Sequence, residues 1–317
     1  MTDASDSPAL RFARLDHLGL ILFEGVDAQA FLNGQLTNDV QALAPGHSQY
    51  GGYCTPKGRL LATFLLWRRE KSFFLQLPAV LREPVQRQLA KFILRSKVTA
   101  SDVSAAWVRF GAAGGDAGKR LEEMLGFVPA APGEVRHDVN VIVIKLPVDR
   151  YEIAVAASRA GEFEEALVKQ GFAPSQPEFW QRLDIRAGVP VITLATQEEF
   201  VPQMVNLDLI GGVSFAKGCY PGQEIVARMH YLGRLKQRMY RFHIASSDAP
   251  RPADKLYSSA FGGQACGTIV DATPAPEGGY DALAVAQIDQ ARDGNLHLQA
   301  ADGPVLELWD LPYAVAA

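Results

Sequence analysis

The sequence predicts an α+β fold that consists of two split α/β units followed by a small β-barrel. Short apolar strands and amphipathic helix patterns alternate in the first two thirds of the chain, whereas helix patterns disappear from about Met239 onward. At 317 residues the chain is long enough for two or three cores. We therefore expect a multidomain protein with a first region over 10–240 and a barrel over 241–317.

The first split unit is predicted from strand patterns, a polar hairpin turn at 69–71 and one apolar helix face. Its elements are a strand over 18–23, a helix over 28–32 capped by Asp27, strands over 59–68 and 72–77, and a helix with Val85, Leu89, Phe92 and Ile93 on one face.

The second split unit repeats this alternation, and the barrel then follows as short strands between Gly, Pro and Asp turns. The predicted elements are strand 107–110, helix 119–125, strands 139–146 and 151–155, helix 162–169, and barrel strands 268–270, 283–288 and 305–309. We expect the two lobes of the first region to be interleaved, with 10–50 joined to 105–180 and 51–104 joined to 181–240.

Composition excludes several classes of protein. The longest apolar run, Leu60 to Trp67, is far shorter than the ~20 residues of a membrane helix. Residues 1–9 lack the features of a signal or transit peptide, so we expect a cytoplasmic protein. The net charge of -4 argues against wholesale nucleic-acid binding. Three widely spaced cysteines predict neither a disulfide framework nor a metal site.

The segment from Phe215 to Arg228 is the strongest candidate for chemistry. Its KGCYPGQE stretch, 217–224, contains two glycines and a proline that require a sharp turn, and the turn carries Cys219. Lys217 and Arg228 flank the thiol, and positive neighbours favour the reactive thiolate. A free cysteine is also commonly a small buried hydrophobe, so the residues alone leave both roles open. His230 is a candidate base for the thiol or an ordinary core or surface histidine.

Two further features have alternative interpretations. A basic stretch with interleaved Tyr231 and Tyr240 suits RNA, but it equally suits the solvent face of an exposed strand. Trp180 offers either core packing or a stacking platform for a planar heterocycle such as a pterin. The basic stretch contains Arg228, His230, Arg234, Lys236, Arg238 and Arg241.

Several segments together identify a family. They are 31–39 (FLNGQLTND), 56–59 (PKGR), Trp180 with 187–191 (AGVPV), 200–203 (FVPQ), and 209–215 (LIGGVSF) leading into 217–228. In this order they resemble the YgfZ family of folate-binding proteins, in the superfamily of the glycine-cleavage T-proteins. The resemblance implies a three-lobed, T-protein-like cloverleaf with ferredoxin-like split units and a C-terminal barrel.

The same resemblance implies a cofactor, partners and a function. The cofactor is tetrahydrofolate or a derivative, and the implied role is support of iron-sulfur cluster assembly or repair and thereby of tRNA modification. Iron-sulfur enzymes or assembly factors are the implied partners, a weak tRNA contact is an alternative, and a monomer is expected. The resemblance assigns Cys219 and Lys217 as the catalytic pair. It assigns the folate site to Trp180, Lys57, Arg59, Tyr220, Gln223, Glu224 and Arg228.

One departure from the superfamily bears on whether the chain is an enzyme. The aminomethyltransferases use an aspartate shortly after the turn that corresponds to Gly58-Arg59, and here Ala62 and Thr63 follow instead. Neither residue can act as a carboxylate acid. An aminomethyltransferase remains an alternative, with Asp39 as its nearest candidate carboxylate, and the sequence leaves enzymatic activity open.

Overall fold

The computed structural model describes residues 9–233 and 235–315. In this part of the chain there are three β-sheets and seven α-helices, which confirms the predicted α+β class. The N-terminal residues 1–8 and the predicted basic residue Arg234 lie outside it. None of the helices described combines the length and apolar character that crossing a membrane requires.

The strands are β1 (Arg11–Arg14), β2 (Leu18–Glu24), β3 (Ser48–Cys54), β4 (Leu60–Arg69), β5 (Ser72–Pro78), β6 (Thr99–Asp102), β7 (Trp107–Ala113), β8 (Val135–His137), β9 (Val141–Leu146), β10 (Arg150–Ala156), β11 (Ala173–Ser175), β12 (Gln237–Ile244), β13 (Lys255–Tyr257), β14 (Ala265–Pro274), β15 (Tyr280–Gln287), β16 (His297–Leu298) and β17 (Leu306–Trp309). The helices are α1 (Ala28–Asn33), α2 (Ala79–Ala90), α3 (Ala117–Leu125), α4 (Ala160–Lys169), α5 (Pro177–Arg186), α6 (Gln223–Tyr231) and α7 (Ile288–Asp293). Short 3₁₀ helices occupy Ala157–Arg159, Pro202–Val205 and Ser259–Phe261.

The described chain divides into two compact, interleaved units. Unit 1 contains the chain up to Leu32, Val40–Gln49 and Leu65–Trp180, and unit 2 contains Asn33–Asp39, Tyr50–Phe64 and the chain from Gln181 onward. A five-stranded sheet has the order β3-β4-β5-β2-β6, and its strands β3 and β4 each contain residues of both units. The predicted division at residue 240 and the predicted pairing of lobes stay predictions.

Unit 1 contains a six-stranded sheet of order β11-β1-β7-β10-β9-β8. Helices α3 and α4 cover it because each buries an apolar stripe, which includes Leu121 of α3 and Phe163 and Leu167 of α4. These side chains form one core with Phe110 and Ile153 of the central strands. The predicted alternation of strands and helices over 107–169 is thus confirmed.

The predicted β4–β5 hairpin is also present, with Arg69 directly opposite Ser72. Helix α2 buries Val85 and Leu89 as expected, but it ends at Ala90. The prediction that Phe92 and Ile93 continue its apolar face was therefore wrong. Both residues lie in tight turns after the helix, and Phe92 is largely exposed.

The indole of Trp180 belongs to the interior of unit 1, with only 1% of its surface exposed. The backbone of Gly111 on β7 lies directly against its six-membered ring, and a methyl group added at Gly111 would lie 2.2 Å from the indole. The Arg150 guanidinium lies 5.1 Å from the ring centroid. The close approach of Gly111 is what makes room for the large side chain.

In unit 2 the third sheet is six-stranded and antiparallel, with the order β16-β13-β14-β15-β12-β17. Its two end strands are bridged by a pairing of His297 with Val305 and by backbone bonds from Leu298 to Pro304 and from Leu306 to Leu296. The sheet is therefore strongly curled, as a half-barrel whose end strands meet at this bridge. The expectation that helices are absent after Met239 was wrong, because α7 begins at Ile288, where strand 283–288 was expected to end.

We expect Gly111→Ala to lower the free energy of unfolding by about 1–3 kcal/mol, because the added methyl overpacks the site of the Trp180 indole. Gly161 in α4 is the matched control, since a methyl group there meets no atom within 4 Å. Gly161→Ala should stabilise the protein by about 0.4–1 kcal/mol through the unfolded chain. Urea unfolding followed by tryptophan fluorescence measures both, and equal stability of the two variants would contradict the packing argument.

Candidate functional site

The Cys219 loop, defined here as Phe215–Gly222, alternates between buried and exposed side chains. Lys217 is 9% exposed and Tyr220 is 7% exposed, whereas Cys219 between them is exposed. Gly222 then begins helix α6, so the motif that was predicted as one turned loop is a loop followed by a helix. The two buried side chains anchor the loop on either side of the thiol and leave the thiol at the surface.

The ammonium of Lys217 is surrounded by backbone carbonyls of the 33–38 segment. Its Nζ donates to the carbonyl oxygens of Asn33 at 2.5 Å, Leu36 at 2.6 Å and Asn38 at 3.0 Å. Burial lowers the pKa of Lys217 to about 8, and the nearby Asp39 carboxylate opposes this shift. The three bonds use the three protons of the ammonium. Lys217 therefore joins the Cys219 loop to the 33–38 segment within unit 2.

Tyr220 anchors the other side of the loop by packing. The ammonium of Lys217 lies 5.0 Å from its ring centroid, a cation–π arrangement. Burial raises the pKa of the Tyr220 hydroxyl, and the neighbouring Cys54 adds to the effect. Burial also raises the pKa of Cys54 to about 12, which keeps that thiol protonated. Cys266 is buried in the barrel, so Cys219 is the exposed cysteine of the three.

Two glycines allow the Cys219 loop to lie against the turn at 55–59. Gly222 has φ +82°, and a Cβ there would lie 2.5 Å from the Thr55 carbonyl oxygen and 2.6 Å from Gly58. Gly58 has φ +71° and faces Gly222 and Ile225 of α6. Both positions require the left-handed conformation that glycine adopts without strain. The PKGR turn and the KGCYPGQE loop therefore meet backbone to backbone.

The remaining residues assigned to the site lie around this contact. Lys57 is exposed at the turn, and Arg59 donates to the Glu199 carbonyl oxygen at 2.7 Å. Gln223 lies 3.4 Å from the Lys217 carbonyl oxygen, and Glu224 and Arg228 are exposed on α6. Lys57 and Arg228 form no ion pair within the described residues. Two free cations thus lie on the turn and the helix that flank the thiol loop.

The position at which the superfamily carries a catalytic aspartate has a structural role here. Ala62 and Thr63 are buried, and the Thr63 hydroxyl donates to the Pro190 carbonyl oxygen at 2.8 Å. The same hydroxyl accepts the Ile192 N–H at 3.1 Å. Both hydrogen bonds link β4 to the 190–192 segment within unit 2. Asp39, the alternative carboxylate, instead interacts with the Lys217 ammonium.

The predicted stacking role of Trp180 does not fit the structure. Its indole is enclosed by the Gly111 backbone and the Arg150 guanidinium, so it presents no open face to a planar ligand. The core-packing interpretation is the one that the geometry supports.

The basic stretch does not form one solvated strand face. Arg238 makes a bidentate pair with Asp208 at 2.7 and 3.1 Å, and Arg241 is buried 3.9 Å from Asp281. These arginines are neutralised internally, so the solvated-strand interpretation was wrong for them. His230, the candidate base, lies flat on Phe215 with ring centroids 3.7 Å apart.

Sequence reasoning missed the carbonyl cage around Lys217. Its acceptors at 33, 36 and 38 are backbone atoms, which no residue type signals. Asn38 gives an indirect clue, because its side-chain amide donates to the Tyr50 and Gly211 carbonyl oxygens at 2.8 and 2.6 Å. This amide fixes the segment that accepts from Lys217. No group of three His, Cys, Asp or Glu side chains within residues 9–233 and 235–315 is arranged to hold a metal ion.

Comparisons with known proteins agree with the fold and extend along most of the chain. The family model of the GCVT N-terminal domain matches residues 13–173. The tRNA-modifying protein YgfZ of Sodalis glossinidius is 30% identical over 310 residues, which cover 96% of this chain and 94% of that protein. The protein of the same name from Serratia proteamaculans is 29% identical over 317 residues, covering 99% and 95%.

Among solved structures, the glycine cleavage system aminomethyltransferase T from Bartonella henselae superposes with a TM-score of 0.76. The match covers 96% of this chain and 86% of that chain at 16% identity. At this identity the likeness concerns the fold. The predicted T-protein-like fold is therefore confirmed.

We expect Gly222→Ala to lower the free energy of unfolding by about 1–3 kcal/mol, because the new Cβ meets Thr55 and Gly58 in a left-handed conformation. Gly218→Ala is the matched control, since a Cβ at Gly218 meets no atom within 4 Å. Titration with an aromatic disulfide reagent should give one fast thiol, Cys219, in the wild type and in Gly218→Ala. In Gly222→Ala we expect Cys54 to react faster as well. If the Cys54 reaction rate and the stability of this variant equal those of the wild type, the role of the contact of Gly222 with Thr55 and Gly58 is refuted.

We expect the stability of the wild type to rise between about pH 8 and pH 10.5 relative to that of Lys217→Met. The folded pKa of Lys217 is about 8 and its usual value is 10.5, so the unfolded chain binds the proton more tightly in this window. The gain should be on the order of 3 kcal/mol and should be absent below pH 8. Urea unfolding at each pH for both proteins measures it, and parallel pH profiles would show that the ammonium is not desolvated.

Proposed function

We propose that this chain, which belongs to the YgfZ family within the GCVT group, is a folate-binding protein that supports tRNA modification through its exposed Cys219 thiol. The single observation that carries the proposal is the construction of the Cys219 loop. The buried Lys217 and Tyr220 and the Gly58–Gly222 contact hold an exposed cysteine in a fixed position. Such construction is expected where a thiol has to be presented to another molecule.

The chemistry of the thiol follows from its surroundings. The Lys217 ammonium is bound by three carbonyl oxygens, so we assign Lys217 as a positioning residue that acts through the loop. Cys219 is the group that we propose to act, as a nucleophile, a redox group or a transient ligand of a cluster. Support of iron-sulfur cluster assembly or repair, with iron-sulfur enzymes or assembly factors as partners, is the finer form of this proposal.

For the cofactor we propose tetrahydrofolate or a derivative. The carboxylates of its glutamate tail suit Lys57 and Arg228, which have no ion-pair partner in the described part of the chain, and Arg59 beside Gly58 adds a third cation. Tyr220, Gln223 and Glu224 contribute polar groups along the same loop and helix. When bound, a reduced folate would supply a one-carbon carrier. Trp180 is packed in the core of unit 1, and the proposal does not use it as a stacking surface.

An aminomethyltransferase activity is the second candidate, and it is supported by the shared fold. The Thr63 hydroxyl is fully used in bonds to Pro190 and Ile192, and it cannot replace a carboxylate that stabilises a developing cation. The charge of Asp39 interacts with Lys217. The structure therefore favours the thiol-based proposal, and release of ammonia from an aminomethyl-lipoyl carrier in a folate-dependent assay would reverse this order.

We expect Cys219→Ala to retain the fold and the affinity for tetrahydrofolate but to fail to complement cells with defective iron-sulfur enzymes. Cys266→Ala is the matched control, because it removes a thiol that is buried in the barrel. It should complement like the wild type. Thermal unfolding and calorimetric titration with tetrahydrofolate on the three purified proteins separate the effects. Full complementation by Cys219→Ala would refute the role of the thiol, and absence of folate binding by the wild type would refute the cofactor.

A further inference from the structure

A cluster of aromatic rings lies where α6 ends, on the same helix that follows the Cys219 loop. The imidazole of His230 lies flat on the ring of Phe215, with centroids 3.7 Å apart and an interplanar angle of 13°. The ring of Tyr231 stands on edge to both, 4.7 Å from His230 and 6.3 Å from Phe215. Three rings from two segments of unit 2 thus support one another.

The outer side of this cluster is open. Tyr231 is 66% exposed and the adjacent Leu232 is 84% exposed, although both are large apolar side chains. Single exposed apolar residues are common on protein surfaces. Here, however, Tyr231 is fixed by ring contacts, which removes much of the conformational freedom that a ligand would otherwise have to restrict. The cluster is a preorganised aromatic surface.

Exposed cations without an ion-pair partner in the described residues lie on α6 and on the segments near its two ends. Arg228 lies three residues before Tyr231 on the exposed surface of α6, a spacing that places both on neighbouring positions of the helix. Lys236, just beyond the helix, and Lys57, on the turn against its start, are also exposed. None of these three forms an ion pair in the described chain, in contrast to Arg238 with its Asp208 partner. A surface with aromatic rings and unpaired cations complements a polyanion that carries flat bases.

We infer that the Phe215–His230–Tyr231 cluster, with Arg228 and Lys236, binds single-stranded RNA by stacking a base on the exposed aromatic surface. The phosphates of the same strand face the two cations. The cluster includes Phe215, the first residue of the Cys219 loop, so an RNA held there contacts the loop that carries the proposed functional thiol. The inference rests on the proposed function only for the choice of RNA as the polyanion, and it does not require folate to bind.

The overall charge limits the expected strength of this binding. With a net charge of -4 and two or three phosphate contacts, the protein should bind RNA weakly and mainly at low salt. Base stacking contributes a part of the binding free energy that does not depend on the salt concentration. The surface is therefore expected to select unpaired RNA loops over duplexes, in which the bases are already stacked.

The test uses the full chain and a fluorescein-labelled 12-nucleotide single-stranded RNA, followed by anisotropy at 20 and 150 mM salt. We expect Tyr231→Ala to weaken binding about 5- to 150-fold and Tyr231→Phe to retain it, because phenylalanine keeps the ring. Arg228→Ala should reduce the slope of log affinity against log salt by about 0.7. Phe92→Ala and Lys119→Ala are matched controls with an exposed ring and an exposed cation of unit 1, and both should bind like the wild type.

Three outcomes would overturn the inference. The first is that the wild type does not bind the RNA at 20 mM salt, and the second is that Tyr231→Ala binds the RNA as tightly as the wild type. The third is that the wild type binds heparin, which has charge but no bases, as tightly as it binds the RNA. Concentration-dependent self-association that Tyr231→Ala abolishes, without RNA binding, would instead assign the surface to a protein partner. Tetrahydrofolate titration of Tyr231→Ala should give the wild-type affinity, so loss of RNA binding and failure of the folate proposal are distinguished.

Discussion

The buried ammonium of Lys217 is the interaction on which the arrangement of the candidate site depends. Removing a charge from water costs several kcal/mol, and a hydrogen bond to a charged donor returns about 1.5–3 kcal/mol. Three carbonyl acceptors therefore offset only part of the desolvation, and the lowered pKa of Lys217 means that the buried ammonium adds little net stabilisation. The ammonium instead fixes the position of the Cys219 loop, because its three bonds hold the loop against the carbonyls at 33, 36 and 38. The 33–38 segment is fixed in turn by the side chains of Thr37 and Asn38.

The three cysteines show how this geometry differentiates identical side chains. Cys54 lies in a buried strand, where desolvation keeps the thiol protonated, and Cys266 is enclosed in the barrel core with its Sγ donating to the Leu256 carbonyl oxygen. Cys219 is exposed because its neighbours at 217 and 220 are turned inward and because Gly222 can turn the chain directly afterwards. Reactivity of a thiol requires access as well as charge. Of the three, the loop gives access to Cys219 alone.

Much of the fold follows from sequence patterns, whereas the site follows from them only in part. The β4–β5 hairpin and helices α3 and α4 have strong periodic patterns and polar turns, so local physics determines them. The contacts of Trp180 and Arg238 come from distant parts of the chain, so sequence patterns do not determine them. The sequence shows that Arg238 is charged, but it does not show that Asp208 lies close enough to form an ion pair with it. The sequence predicted a candidate site around Cys219, and this stays a prediction. The backbone carbonyls that surround Lys217 were not predicted, since every residue carries the same carbonyl group.

The contrast between Thr63 and Cys219 explains how one fold can accommodate different chemistry. In this chain the Thr63 hydroxyl joins β4 to the segment at 190–192, although the resemblance to the aminomethyltransferases predicts an aspartate near this point of the chain. The Pro190 carbonyl needs a donor and the Ile192 N–H needs an acceptor, and the hydroxyl provides both. A carboxylate at this buried position would only accept and would bury a charge. Restoring an aspartate alone would therefore break this link without building a T-protein site.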